Sequence, residues 1–204
     1  MHIMEGVISA PVLCTGLILT SGGTALGLKK LDYRQMPQVS ILTSAFFIAS
    51  FIHVPIGPSS VHLILNGILG LFLGWMAFPT ILTALFLQAV LFQFGGLTSL
   101  GVNTMNIALP AVLCAFLFRP GIGSSKAIVS VPAAFLCGFS AVLFTAIMVS
   151  LSLFLTGESF LGVAKLVMLA HLPVMIIEGL ITVFCIRFIK QVRPEMLADL
   201  EATR

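Results

Sequence analysis

Residues 127–155 read AIVSVPAAFLCGFSAVLFTAIMVSLSLFL and contain no charged side chain. An α-helix needs about 20 apolar residues to cross the hydrocarbon core of a bilayer, and this stretch exceeds that length. The chain of 204 residues has the same character throughout, with 59% hydrophobic and 8% charged residues. Soluble domains carry about 25% charged residues, so this chain has too little polar surface for a soluble fold. The composition therefore predicts one integral membrane domain over residues 1–204.

Further apolar stretches, separated by glycine, proline and charge, predict an all-α, polytopic transmembrane helical bundle with about seven spans. The predicted spans are 7–28, 37–55, 61–78, 80–94, 105–118, 127–155 and 164–189. Between the two shortest spans lies a Gly/Asn-rich loop, 95–104, which we expect to dip back toward the bundle. Non-helical backbone at that depth requires protein or a wet cavity to satisfy its polar groups.

The basic residues predict the orientation, because cytoplasmic loops hold lysine and arginine in excess. With the N-terminus outside, the basic residues except Lys165 fall in or at the edge of cytoplasmic segments, including a C-terminal tail over 190–204. These residues are Lys29, Lys30, Arg34, Arg119, Lys126, Arg187, Lys190, Arg193 and Arg204. The same orientation places the N-terminal segment 1–6 and the turn from Pro55 to His62 together on the outer face.

The N-terminal segment 1–6 offers chelate chemistry. We expect Met1 to be retained, because the bulk of His2 disfavours its removal. The α-amine of Met1, the amide nitrogen of His2 and its imidazole can close two fused chelate rings around a metal ion. Four nitrogen donors in a plane favour Ni(II) or Cu(II), and the fourth position suits a second imidazole. The alternative is a frayed terminus with an idle histidine, since termini are often disordered.

The chain contains four histidines, and ionisable groups near membrane depth are candidates for function. His62 follows a Pro/Gly/Ser turn on the outer face, where it can supply the fourth ligand; a hydrogen bond between helices is its alternative role. We expect His53 to be an interfacial group, or one that contacts the ligands, rather than a ligand itself. Ser59 or Ser60 served by His62 would suit an intramembrane hydrolase, but the sequence offers no third group to orient the base.

Five motifs along the chain resemble one family. They are Met1-His2-Ile3-Met4-Glu5-Gly6, Val54-Pro55-Ile56-Gly57-Pro58-Ser59-Ser60-Val61-His62, Gln88-Ala89-Val90-Leu91-Phe92-Gln93-Phe94-Gly95-Gly96, Gly101-Val102-Asn103-Thr104-Met105-Asn106, and Ala170-His171-Leu172 with Glu178. Together they resemble the CbiM/NikM family, the substrate-binding S components of energy-coupling-factor (ECF) transporters for nickel and cobalt. The resemblance implies a metal site formed by Met1, His2 and His62. Nickel is favoured on geometry, and cobalt stays open.

The resemblance also places two asparagines, Asn103 and Asn106, in a Gly/Asn loop. We expect them to close over the metal ion or to orient its ligands by hydrogen bonds, and helix capping is the alternative for each. His171 and Glu178 lie seven residues apart on one helical face. Because a buried carboxylate needs a polar partner, we expect this pair to form a structural lock between spans. The partner of Glu178 would be His171, a backbone amide or water.

Residues 121–127 fail the phosphate-binding pattern GxxxxGK[ST], so we expect no ATP hydrolysis by this chain. We expect no enzyme activity. The resemblance implies a transmembrane coupling (T) subunit and two ATPase subunits in a prokaryotic cytoplasmic (inner) membrane, with lipid around the bundle and no nucleic acid. It leaves open a small accessory membrane subunit. Gly23 and Gly27 form a small-xxx-small pattern suited to partner docking or to internal packing. A stand-alone carrier or channel is the rival function.

Overall fold

The computed structural model describes residues 2–56 and 58–197. These residues form seven α-helices, namely α1 Ala10–Lys29, α2 Met36–Ala49, α3 Asn66–Leu73, α4 Ala77–Phe92, α5 Leu100–Gly123, α6 Ala127–Thr156 and α7 Leu161–Val192. Short 3-10 turns lie at Tyr33–Gln35, Gly74–Met76 and Glu158–Phe160, and two strands, β1 His53–Ile56 and β2 Ser59–His62, form a hairpin. The predicted tail, 190–204, is described only as far as Leu197.

The described part of the chain contains five segments that are long and apolar enough to cross a membrane. They are Ala10–Lys29, Asn66–Phe92, Leu100–Gly123, Ala127–Thr156 and Glu158–Val192. This confirms the predicted polytopic helical membrane fold. Helix α2 has 14 residues, which is shorter than the roughly 20 needed for a full crossing. The number of crossings, about seven, and the orientation therefore stay predictions.

Contacts between distant segments define the two ends of the bundle. The backbone N–H of Ser9, before α1, lies 3.4 Å from the Thr156 hydroxyl at the end of α6. At the opposite end, Lys190 near the end of α7 donates to the Ser124 carbonyl between α5 and α6. We call the first the histidine end, because His2 and the hairpin lie there. We call the second the basic end, because Lys190 and Lys126 lie there.

The chain between α2 and α3 differs from the predicted spans. Strands β1 and β2 pair in antiparallel fashion, with His53 opposite His62, and α3 begins only at Asn66. The predicted spans 37–55 and 61–78 are therefore wrong at their adjoining ends. The physical reason is that β2 is buried over its whole length although three of its four residues are polar. Pairing with β1 satisfies backbone groups that would otherwise be buried without partners.

Helix α5 is longer than predicted. It begins at Leu100, so the irregular loop between α4 and α5 covers only residues 93–99, and the predictions of a loop over 95–104 and a span over 105–118 are both corrected. A side chain at Gly101 would place its Cβ 2.8 Å from Leu17 Cα. Gly101 therefore permits close packing of α5 on α1, a role that a glycine-rich sequence does not distinguish from a loop.

Helix α3 is packed in the interior between α5 and α6. The Asn66 side chain at its start donates to the Thr145 hydroxyl (2.9 Å) and to the Ile107 carbonyl (3.2 Å). Further along, Gly70 lies so close to the Ala111 backbone that a Cβ would overlap its oxygen. These contacts fix the depth of α3 and therefore the position of the segment that precedes it, which carries His62.

Candidate metal-binding site

The N-terminal segment is packed into the protein from His2 onward. Ile3 is fully buried, and its backbone N–H donates to Asn103 Oδ1 at 2.9 Å. Its carbonyl oxygen accepts from Asn103 Nδ2 at 3.1 Å and from the Ser99 hydroxyl at 2.9 Å. The start of α5 therefore holds the residue next to His2 through both of its backbone groups.

Two further backbone hydrogen bonds fix the direction of the segment. Met4 N–H donates to the Pro58 carbonyl in the hairpin turn at 3.0 Å, and Glu5 N–H donates to the Gly95 carbonyl at 2.9 Å. The segment thus lies between the hairpin and the loop over 93–99. From His2 onward the frayed alternative does not hold, whereas Met1 lies outside the described residues.

His2 and His62 form a buried pair. They are 5% and 2% exposed, and their rings are stacked with centroids 4.8 Å apart and planes inclined by 24°. Among the described residues, Nε2 of each ring is buried and has no hydrogen-bond partner. Buried polar atoms are normally bonded, so the free Nε2 of His62 beside the ring of His2 marks a place where a ligand would complete the arrangement.

The tautomer of His62 follows from its surroundings. Nδ1 lies 2.7 Å from the Leu63 carbonyl oxygen, which can only accept a hydrogen bond. The proton is therefore on Nδ1, and Nε2 carries the free lone pair. A ring held in this way by its other nitrogen is arranged as metal-ligating histidines are in proteins.

Burial also controls the charge of the two rings. Removal from solvent lowers the pKa of His2 and the pKa of His62 well below their ordinary value. Both imidazoles are therefore neutral near pH 7, which is the form that binds a metal ion.

Among residues 2–56 and 58–197 there is no group of three or more His, Cys, Asp or Glu side chains that could hold a metal ion. A site at the histidine pair would therefore need main-chain nitrogen donors as well. The amide nitrogen of His2 is in place, and the α-amine belongs to Met1.

The other candidates near the pair have different surroundings. Asn103 contacts the backbone of Ile3, as described above, whereas Asn106 donates to the Ser152 hydroxyl at 3.2 Å, away from the segment. Both asparagines lie on α5 rather than in a loop. His53 is exposed, and its ring meets the Phe94 ring edge to face at 4.6 Å.

The expected pair of His171 and Glu178 makes no direct hydrogen bond. His171 Nδ1 donates to the Val167 carbonyl at 2.5 Å. The buried carboxylate of Glu178 instead accepts from the backbone N–H groups of Ile64 (2.5 Å) and Leu65 (2.8 Å) through Oε1. Leu65 has a left-handed backbone (φ 54°) immediately before α3, which leaves these amides without helical partners. Glu178 thus joins α7 to the chain just after His62.

Gly23 and Gly27 face the interior of the same chain. A Cβ at Gly23 would lie 2.5 Å from the Phe78 ring, and one at Gly27 would lie 2.5 Å from the Trp75 carbonyl oxygen. Both glycines are buried by the start of α4. The arrangement is the internal-packing alternative, and in it neither glycine is accessible to a partner helix.

In the described part of the chain, Ser59 and His62 do not form the hydrogen-bonded pair that nucleophilic catalysis requires. The Ser59 hydroxyl is buried without a hydrogen bond, and His62 uses Nδ1 for the Leu63 carbonyl. A hydrolase would need a serine hydroxyl bonded to its base.

Two residues at the site were not predicted from the sequence. Ser99 bonds to Ile3, and Phe94 stacks on His2 with ring centroids 6.2 Å apart. The sequence signal at Ser99 is that serine is a frequent N-cap residue. In the structure its hydroxyl makes no cap hydrogen bond and bonds to the Ile3 carbonyl instead. Phe94 stands before Gly95-Gly96, but that pattern alone does not indicate a contact with residue 2.

The fold and the site together define a class, a polytopic helical membrane protein with a buried histidine pair where its N-terminal segment docks. The chain belongs to the CbiM family, described as the cobalt uptake substrate-specific transmembrane region, which matches residues 2–196. The resemblance inferred from the motifs is thereby confirmed. Membership makes the chain a membrane component of transition-metal transport.

Two named relatives and one solved structure are also similar to this chain. A protein of Haemophilus influenzae named for metal transport is 40% identical over 202 residues, covering 97% of each chain. A fused nickel transport protein NikMN of Rhodobacter capsulatus is 34% identical over 119 residues, which are 53% of this chain and 33% of that protein. A crystal structure of a transition metal transporter is similar with a TM-score of 0.77 and 28% identity, covering 94% of this chain and 93% of that one.

Proposed function

We propose that the chain captures a divalent transition-metal ion as transported substrate at the histidine pair. The donors are Nε2 of His62, Nδ1 and the amide nitrogen of His2, and the amino group of Met1. Nδ1 of His2 is the ring atom that closes a six-membered chelate with the amide nitrogen. The observation that carries the proposal is the buried, unpartnered Nε2 of His62 beside the ring of His2, 4.8 Å away between centroids.

Nickel is the favoured substrate, and cobalt is the alternative. Four nitrogen donors in one plane suit Ni(II), which accepts that geometry readily. The family description names cobalt, and a relative is named for nickel transport. A comparison of the two ions on the same protein decides between them.

The captured ion is delivered to an ATP-driven importer of the ECF type, in which a coupling subunit and two ATPase subunits are separate chains. Capture takes place at the outer face of the prokaryotic inner membrane, and this chain has no enzyme activity. The family description, which names a substrate-specific region, supports a division of labour between chains. The relative that is described as a fused protein supports the same division, because the segment that matches this chain covers only 33% of it.

Calorimetric titration of the purified protein with NiCl2 and CoCl2 tests the metal site. Structural metal sites with four ligands contribute roughly 10–16 kcal/mol, so loss of one ligand costs about 3 kcal/mol, or roughly 100-fold in Kd. We expect that loss for His62→Ala and for His2→Ala. His53→Ala is the matched control for the equilibrium Kd, because it removes an exposed imidazole at the same end that is not one of the proposed donors. Equal Kd values for His62→Ala and the unaltered protein would contradict the proposal.

Uptake assays separate this function from that of a stand-alone carrier. Proteoliposomes that contain only this chain should accumulate no more nickel than empty vesicles. Robust uptake by the chain alone would favour the carrier and would remove the need for ATPase partners.

A further inference from the structure

A cavity of about 490 Å³ opens beside the histidine pair at the histidine end. It lies between the N-terminal segment, the hairpin and the loop over 93–99. Its walls include His2, Glu5, Ser60, Phe94 and Leu97. The cavity therefore connects the exposed surface at Glu5 with the buried imidazole of His2.

Among the residues that the structure describes, Glu5 is the one acidic side chain that lines this cavity. The Glu5 side chain is exposed. The ion pair found within the described part of the chain joins Arg193 and Glu195 at the basic end, so it does not involve Glu5. The hydrogen bond from its N–H to the Gly95 carbonyl holds its backbone against the loop. The backbone of Glu5 is thus held at the mouth of the cavity, where its carboxylate is exposed to solvent.

Phe94 lines the cavity next to His2. Its ring is stacked on His2 with centroids 6.2 Å apart and planes inclined by 25°. The backbone reverses on both sides of it, with positive φ values at Gln93 (57°), Gly95 (79°) and Gly96 (152°). The half-buried ring is therefore carried by a short turn rather than by a helix, and the His2 ring on which it stacks is only 5% exposed.

We propose that this cavity is the entry vestibule through which a hydrated divalent cation reaches His2, with Glu5 attracting the cation at the mouth and Phe94 forming the barrier. This inference rests on the proposed function. Glu5 acts before coordination, by raising the local concentration of the cation, and it is not a ligand in the bound state. The encounter population multiplies the observed association rate even when ligand exchange is the slow step.

The test for Glu5 is stopped-flow association of NiCl2 with the full chain, followed with a metal-sensitive indicator dye. We expect Glu5→Gln to lower the association rate constant roughly three- to tenfold at about 0.01 M salt, where charges act over about 30 Å. At about 1 M salt, where the screening length is about 3 Å, the rates of the variant and the unaltered protein should converge.

Glu158→Gln is the matched control. Glu158 is an exposed carboxylate at the same end, beyond the end of α6, and it does not line the cavity. Its replacement should leave the association rate within error. An unchanged rate for Glu5→Gln, or an equal loss for both variants, would overturn the role of Glu5. An effect of Glu5→Gln confined to the dissociation rate would instead make Glu5 a contact of the bound ion.

The barrier role of Phe94 has its own signature. A smaller residue, as in Phe94→Leu or Phe94→Ala, should raise the association and dissociation rates by similar factors and leave Kd nearly unchanged. A higher dissociation rate with unchanged association would show that the ring only supports His2, and the barrier would be wrong. If the unaltered protein does not bind nickel at all, the proposed function fails, which is a different result from failure of the vestibule.

Discussion

Replacement of Asn103 by alanine should detach the N-terminal segment from the bundle and so weaken metal binding. The Asn103 side chain makes two hydrogen bonds with the backbone of Ile3 and one with the Ser99 hydroxyl. The Ile3 carbonyl keeps its bond from Ser99 in the variant, but the buried Ile3 N–H loses its acceptor. An unsatisfied buried donor costs about 1–3 kcal/mol, so we expect docking to weaken by about 2 kcal/mol.

That free energy appears in the metal affinity, because the ion is held only when His2 is docked beside His62. Because the apparent Kd rises in inverse proportion to the docked fraction, a docking penalty of about 2 kcal/mol raises the nickel Kd by up to about 30-fold. Calorimetric titration of Asn103→Ala measures this directly. Thermal unfolding of the metal-free protein should change less, because only a terminal segment is released.

The same helix offers a matched control. Asn106 is also a buried asparagine on α5, but its amide bonds to Ser152 instead of the N-terminal segment. Asn106→Ala should lower stability while leaving the nickel Kd within about threefold, a change of less than 1 kcal/mol. Asn103 does not hold the N-terminal segment in place for metal binding if Asn103→Ala binds nickel as tightly as the unaltered protein, or if the two variants lose affinity equally.

Two further predictions concern pH and the start of α3. Burial lowers the pKa of His2 and of His62, so below the unfolded value of about 6.5 the unfolded state binds protons that the folded state excludes. The free energy of unfolding should therefore fall between about pH 7 and pH 5, and it should fall less in His62→Gln. Unfolding followed with a thiol-reactive dye measures this, and equal pH dependence in the variant and the unaltered protein would contradict it. Glu178→Gln keeps an oxygen that can accept from the Ile64 and Leu65 amides, whereas Glu178→Ala leaves both donors open. The alanine variant should be about 3 kcal/mol less stable than the glutamine variant, and equal melting temperatures would remove the capping role.

Much of the fold follows from local sequence. Charge-free runs such as 127–155 predict membrane helices, because an apolar helix of sufficient length is stable in the bilayer whichever helices pack beside it. The hairpin is harder to predict, since His53 and Val54 continue the apolar run of α2, and β2 is stabilised by pairing and burial instead of by its own pattern. The start of α5 depends on Gly101 meeting Leu17, a contact between distant parts of the chain. Local patterns carry no information on such a contact.

The candidate site, too, could be predicted only in part from the sequence. His2 and His62 were predicted from chelate chemistry, which depends on residue type and position, and from the motifs of the family. The contacts that hold them were not, because Ser99 and Asn103 lie about a hundred residues from Ile3 along the chain. The carboxylate of Glu178 was expected to have a polar partner, but the backbone turn at Leu65 that selects its partner is a tertiary feature.

The most direct test of the central claim is nickel titration of a protein that carries one additional residue before Met1, with the added residue verified by intact mass. The extension leaves both imidazoles in the chain but removes the amino group of Met1 from the chelate. We expect a loss of affinity nearly as large as that of His2→Ala, while one residue added after Arg204 changes nothing. Undiminished binding by the N-terminally extended protein would show that the amino group of Met1 is not a donor.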